Sequence, residues 1–144
     1  MLAVCARLRV PTKIAQCAEL VCEHHLGAHR VFEMRTGSVV NLLEAVSSGW
    51  RSPEAVEVFV RACEADKRGR AGLEDKPYPQ ADHIRQAWAV GRAVSAREFV
   101  EKGLTGEAVG QALKAARTRA IHEIHGPARK VVKPAPPKAR VAGP

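Results

Sequence analysis

The apolar residues of this chain return every third or fourth position, and very few of them are aromatic. Val56, Phe59, Val60 and Cys63 keep that spacing, as do Val39, Leu42, Leu43 and Val46, and as do Val109, Ala112, Leu113 and Ala116. Such a period places side chains on one helix face and does not fit the strict alternation of a strand. Hydrophobic residues make up 46% of the sequence and aromatic ones 4%, so the core must be packed from Ala, Val and Leu. Small side chains suit closely packed helices, and Ala is the strongest helix former. The expectation is an all-α chain, an irregular helical bundle of about six main helices, with no strand and no internal repeat. At 144 residues it fits one ordinary domain or two small ones sharing a core.

Local signals place the helices. A short first helix runs from Leu2 to about Arg9, starts abruptly, and is expected to be the end of a longer one. Val10-Pro11 breaks it, and Pro11-Thr12 opens a second helix to about His29, with Ile14, Cys17, Ala18, Val21 and His25 as its apolar stripe. The third begins near Thr36 or Ser38 and ends at Ser48-Gly49. The fourth has Ser52 to cap it, Pro53 in its first turn, Lys67 and Arg68 at its negative end, and Gly69 as a left-handed stop. A loop over Arg70 to Gln80 leads to a fifth helix from about Asp82 to Val94, with Ile84, Ala87, Trp88 and Gly91 inward. Ser95-Ala96-Arg97-Glu98 has the form of a capping box and starts a short spur that ends at Gly103. Thr105 should cap the sixth main helix, which runs to about Ile124 and stops at Gly126-Pro127. Residues 126–144 are Pro, Ala, Lys and Arg without periodicity. They are expected to be a disordered basic tail, because they cannot bury enough apolar area to order themselves.

The net charge is +8, which favours polyanions such as RNA. Five of the 23 basic residues (Arg129, Lys130, Lys133, Lys138 and Arg140) lie in that tail, leaving 18 against 15 acidic residues elsewhere. The globular part is thus only mildly basic. Cys5, Cys17, Cys22 and Cys63 match no paired zinc spacing. No apolar run is long enough to span a bilayer, and Arg7 and Arg9 interrupt the N-terminal one, so the expected setting is the reducing cytoplasm, away from membranes.

Few residues suggest chemistry. Glu64 and Asp66, two apart, do not share a helix face, and ion pairs with Arg68 or Arg70 are expected of them. His25 and His29 are four apart and do share one, a spacing that can chelate a metal but lacks further ligands. Arg85 and Arg92 fall on one face of the fifth helix, and Lys114, Arg117 and Arg119 cluster on the sixth. A basic face of this kind is ordinarily a solvated one. Trp50, Trp88 and Tyr78 are too scattered to stack single-stranded bases; Trp88 is expected in the core and Tyr78 in loop packing.

Longer stretches carry a resemblance. Ala62-Cys63-Glu64-Ala65-Asp66 followed by Gly69-Arg70 and Gly72, then Tyr78-Pro79-Gln80, and later Gly103-Leu104-Thr105-Gly106 with Val109-Gly110, resemble the back half of bacterial CCA-adding tRNA nucleotidyltransferases, the multifunctional CCA family. The resemblance covers most of Cys5 to Ala120. It implies that residues 1–76 are the second half of a degenerate HD-type phosphohydrolase module and that 77–125 are a helical tRNA-binding tail domain. The family's nucleotidyltransferase head has no counterpart here. In Glu23-His24-His25-Leu26-Gly27-Ala28-His29, the two family histidines are His25 and His29, but Leu26 stands where the metal-binding version has Asp. A leucine cannot ligate, so the pair is expected to be a remnant.

The resemblance therefore implies tRNA binding through phosphate contacts by Arg85, Arg92, Lys114, Arg117 and Arg119. It implies no cofactor for this chain, although a complete family enzyme would use Mg2+ with CTP and ATP. Two other functions remain open on the residues alone. One is a helical module that docks on a separate nucleotidyltransferase head, with no RNA role. The other is a residual metal-dependent phosphohydrolase.

Overall fold

The structure, a computed structural model, describes residues 2–127. These form α1 (Leu2–Arg7), α2 (Thr12–His29), a 3-10 turn (Val31–Glu33), α3 (Thr36–Val46), α4 (Pro53–Arg68), α5 (Pro79–Ala93), α6 (Arg97–Glu101) and α7 (Gly106–His125). The all-α expectation is met: six longer helices lack only the brief α6 to complete the set, and no strand occurs among the described residues. The expected tail of 126–144 falls, past Pro127, outside the described residues.

Packing follows the apolar stripes. Helix α2 lies along α4, α4 along α5, and α5 along α7, while α7 also packs across α3. One core results, in which Val39, Leu43, Val60, Ile84 and Ile121 are all fully buried. Burial of each such side chain contributes on the order of 1.5–3 kcal/mol before chain entropy is set against it. This core draws on both sides of residue 76, so the segments 1–76 and 77–125 share their interior.

Helix α4 shows how sequence sets local structure. The Ala55 amide donates to the Ser52 hydroxyl at 3.1 Å, as a cap should, and Pro53 opens the first turn. Its stripe of Val56, Phe59, Val60 and Cys63 is buried. The stop differs from expectation. Gly69 keeps a right-handed conformation (φ −70°), and the left-handed glycine is Gly72 (φ 78°), one turn later.

Other local expectations also fail, for physical reasons. Helix α5 begins at Pro79, earlier than Asp82, because a proline costs nothing in a first turn. The capping box does not close: Glu98 is drawn to Lys102 at 2.7 Å, and Ser95 only accepts from the Arg97 amide. Thr105 precedes α7 without a side-chain cap. Trp88 is only half-buried, packed against the core in which Trp50 lies, whereas Tyr78, the last residue of the loop before α5, is buried. Helix α2 joins the core only in part: Ala28 is buried in it and Val21 packs against it, but the rest of its stripe is open. Ile14 is 59% exposed, and with Cys17, Val21, His25, Val58 and Asp66 it lines an open groove of about 420 Å³ between α2 and α4.

The turn after α3 positions Trp50. Ser48, Gly49 and Trp50 all have positive φ, which is costly for a large side chain. Hydrogen bonds hold it: the Ser47 hydroxyl accepts the Trp50 amide at 2.9 Å, and the Ser47 carbonyl accepts the amides of Arg51 and Ser52. The indole is thereby driven inward against Gly91 of α5.

Candidate nucleic-acid interface

The buried indole of Trp50 organises the basic residues where α5 and α7 cross. Arg117 lays its guanidinium over the ring at 4.7 Å and donates through Nε to the Gly91 carbonyl at 3.1 Å. Burial holds its pKa below the ordinary arginine value, with Glu44 opposing the shift, and the charge remains. Lys114, one turn earlier, reaches Glu44 of α3 at 3.2 Å. Together with Trp50 and Glu107 these residues border a shallow cavity of about 360 Å³. Arg92, one residue past Gly91, places its guanidinium 5.1 Å from the ring centroid of Trp88.

Arg85 and Arg119 lie apart from this group. Arg85 turns to α4 and grips both carboxylate oxygens of Glu57, at 2.8 and 3.0 Å, while also meeting Asp82 at 3.1 Å. Glu57 is held at about 2, first by the hydrogen bond from Arg85 and then by that from Arg61. Arg119 is exposed and makes no ion pair among the described residues. The five basic residues singled out from sequence thus divide. Arg92, Lys114 and Arg117 gather around the two tryptophans, Arg85 is engaged in an inter-helix ion pair, and Arg119 faces solvent. Glu44 and Glu57, which neutralise two of the five, carry no sequence signal for that role. They sit 70 and 28 residues from their partners, and only the packing brings them near.

The second polar group joins three helices. His29, at the end of α2, contacts Asp66 of α4 through Nε2 at 2.8 Å and the Tyr78 hydroxyl through Nδ1 at 2.9 Å. A carboxylate only accepts, so Nε2 donates, and in the neutral ring Nδ1 accepts from Tyr78. Asp66 is held below the usual carboxylate range, chiefly by His29 and then by Arg70, which sits at 3.0 Å. Burial pushes the Tyr78 hydroxyl well above its ordinary value. Glu64 pairs with Arg68 at 3.0 Å, so both acidic residues form the i,i+4 ion pairs their spacing suggested.

His25 and His29 do not present a chelate. Both nitrogens of His29 are engaged, and the His25 Nδ1–H donates to the Val21 carbonyl at 2.9 Å. The rings meet edge to face, 5.8 Å between centroids. Among the described residues no group of three or more His, Cys, Asp or Glu is arranged to hold a metal ion. A divalent metal does not fit this donor set. No helix among the described residues is long and apolar enough to cross a membrane.

No family model matches the chain, and no solved structure does. Individual relatives do. It is 47% identical over 119 residues to the multifunctional CCA protein of Alkalilimnicola ehrlichii, covering 83% of this chain and 29% of that protein. With that of Thioalkalivibrio sulfidiphilus it shares 45% identity over 122 residues, 85% of this chain and 30% of the relative. With that of Methylococcus capsulatus the figure is 39% over 141 residues, 98% and 32%. The chain thus spans about three tenths of the length of these relatives. Over most of its own length the chain is therefore similar to the C-terminal part of multifunctional CCA proteins.

Proposed function

We propose that the chain serves tRNA 3′-end maturation and repair by binding tRNA, in the cytoplasm, through phosphate contacts from exposed basic residues of α5 and α7. The observation that carries this is the identity with multifunctional CCA proteins across nearly the whole described fold. Arg92 and Arg119 are the residues best placed to meet phosphates, being exposed, whereas Arg85 and Lys114 would first have to leave Glu57 and Glu44. Arg117 supports the face by fixing Trp50. Nucleotide transfer from CTP and ATP, with the Mg2+ it calls for, belongs in this reading to a head of the relatives' kind, not to these residues.

Such binding is set by charge and duplex shape, so its affinity falls steeply with salt. The test is a salt series of tRNA binding by the chain and by an Arg92→Ala/Arg119→Ala variant. The double variant should bind every tRNA more weakly, with a salt slope lower by about two phosphate contacts. A variant that binds like the parent at moderate salt refutes this surface.

A second reading has one observation in its favour, the apolar α2–α4 groove with Ile14 and Val58 exposed at its rim. There the chain would dock an apolar helix of a separately carried nucleotidyltransferase head. Val58→Lys should abolish co-purification with such a head and leave tRNA binding unchanged.

A further inference from the structure

Three histidines that the proposed function does not use gather at the far end of α7. His125 is only 8% exposed. Its Nε2 lies 2.8 Å from the carbonyl oxygen of Met34, between the 3-10 turn and α3. Its Nδ1 lies 2.8 Å from Nε2 of His83 on α5. The Phe32 ring covers His83, 4.9 Å away between centroids. One turn earlier, Nδ1 of His122 meets the Thr36 hydroxyl at 3.0 Å. The last turn of α7 is thus fastened to two other elements by imidazole rings.

The proton positions follow from the partners. A carbonyl can only accept, so the Nε2 of His125 carries a hydrogen. In the neutral ring its Nδ1 is then a bare acceptor, and the Nε2 of His83 must donate to it. One added proton leaves this geometry intact, since the remaining nitrogen of His83 can take it. A second proton cannot be accommodated. Both facing nitrogens would then carry hydrogens at 2.8 Å, between two adjacent cations. The contact of His122 lacks this limit, because a hydroxyl can turn to accept.

Among the described residues no neighbouring group relieves the pair. On α5, Asp82 is paired with Arg85. In the 3-10 turn, Glu33 is paired with Arg30 at 2.8 Å. Arg35, ahead of α3, and Glu123, on α7, are exposed. Among the described residues neither His83 nor His125 forms an ion pair with a carboxylate, unlike His29 with Asp66.

We propose that the His83–His125–Met34 contact is a pH-sensitive latch that fastens the C-terminal end of α7 at neutral pH and releases it on acidification. Burial pushes His83 below its ordinary value. A histidine lowered in the folded state stabilises fully above its unfolded value of about 6.5, and that stability is lost as pH falls below it. Release frees the turns that carry Ile121 and Ile124, of which Ile121 is fully buried and Ile124 packs on the core. The latch stands independently of any RNA reading.

The test uses the full chain, labelled with 15N. Amide exchange is measured at pH 7.5 and 5.0 and corrected for intrinsic rates, and the imidazole nitrogens are titrated. Opening that takes up at least one proton changes by up to about tenfold per pH unit. Protection at Ile121–His125 should therefore fall at least about tenfold at pH 5.0, with Val39–Leu43 little changed. His83→Gln should remove most of that response, because an amide can donate to Nδ1 without titrating. In the unmodified chain the His83 imidazole should take up its proton below the ordinary imidazole value. Equal protection at both pH values overturns the latch, as does His83→Gln keeping the full response. Should that variant not fold, the titration decides alone: His83 titrating at the ordinary imidazole value overturns the proposal.

Discussion

Replacing Gly91 with alanine tests the packing on which the α5–α7 crossing rests. A Cβ at that position would lie 2.4 and 2.5 Å from Cζ3 and Cη2 of Trp50, and 3.1 Å from Cδ1 of Ile121. Neither neighbour can yield freely. Ile121 is fully buried, and the indole is held from one side by Arg117 and from behind by the hydrogen-bonded left-handed turn. Overpacking of this kind costs about 1–3 kcal/mol. Alanine returns ~1 kcal/mol through its better helix propensity. Because the contact at 2.4 Å is with a rigid, held ring, the cost sits at the upper end of that range, and the net loss should be about 2 kcal/mol, which lowers Tm by roughly 4–8 °C in a domain of this size. Gly110 of α7 is the control, because nothing lies within 4 Å of a Cβ built there. Gly110→Ala should therefore stabilise by up to ~1 kcal/mol. Circular dichroism melts of the two variants thus differ in sign. Gly91→Ala melting at or above the parent temperature, with unchanged tryptophan fluorescence, would falsify the account of this crossing.

Two other outcomes follow from burial and charge. Burial, with the charge of Asp66 adding to it, pushes the Cys63 thiol up to about 12, while Cys22 is exposed, so a thiol reagent at pH 8 should modify Cys22 first and Cys63 only after unfolding. Four thiols reacting in one fast phase would contradict this. Glu57 is lowered to about 2 by Arg85 and Arg61, so its contribution to stability is present above the ordinary carboxylate range and is lost as pH falls towards 2. Arg85→Met should melt below the parent at pH 7, with the difference narrowing between pH 5 and 3; a constant difference would mean that the ion pair does not set it.

The helices were legible because their cues are local. The stripe of Val56, Phe59, Val60 and Cys63, with Ser52 and Pro53 before it, fixes α4 from its own residues. What failed depends on competition. Ser95 and Glu98 have the right spacing for a box, yet Lys102 is the stronger partner for the carboxylate. The stripe of α2 has helical period like any core face, and period cannot say whether a neighbour covers it. The candidate interface was legible in its residue types but not in its state. Nothing at Arg85 or Lys114 in the sequence points to Glu57 or Glu44, because those pairs exist only once the helices are packed. The joining of His29 to Asp66 and Tyr78 was missed for the same reason, although all three lie in stretches that the family resemblance picked out.

The crossing of α7 over α3 also has a consequence for the order in which the chain can mature. Thr36 meets His122, and Glu44 meets Lys114, across 86 and 70 residues of sequence. Ile121 enters the same core as Val39 and Leu43. While the chain is growing on a ribosome, α3 is complete long before α7 exists, and its apolar face waits without its final cover. Interactions of such long range are closed late, after the entropy of a long loop has been spent. Substitutions at this crossing should therefore speed unfolding more than they slow folding. The nascent chain is at its most adhesive between the emergence of Val46 and that of Ile121.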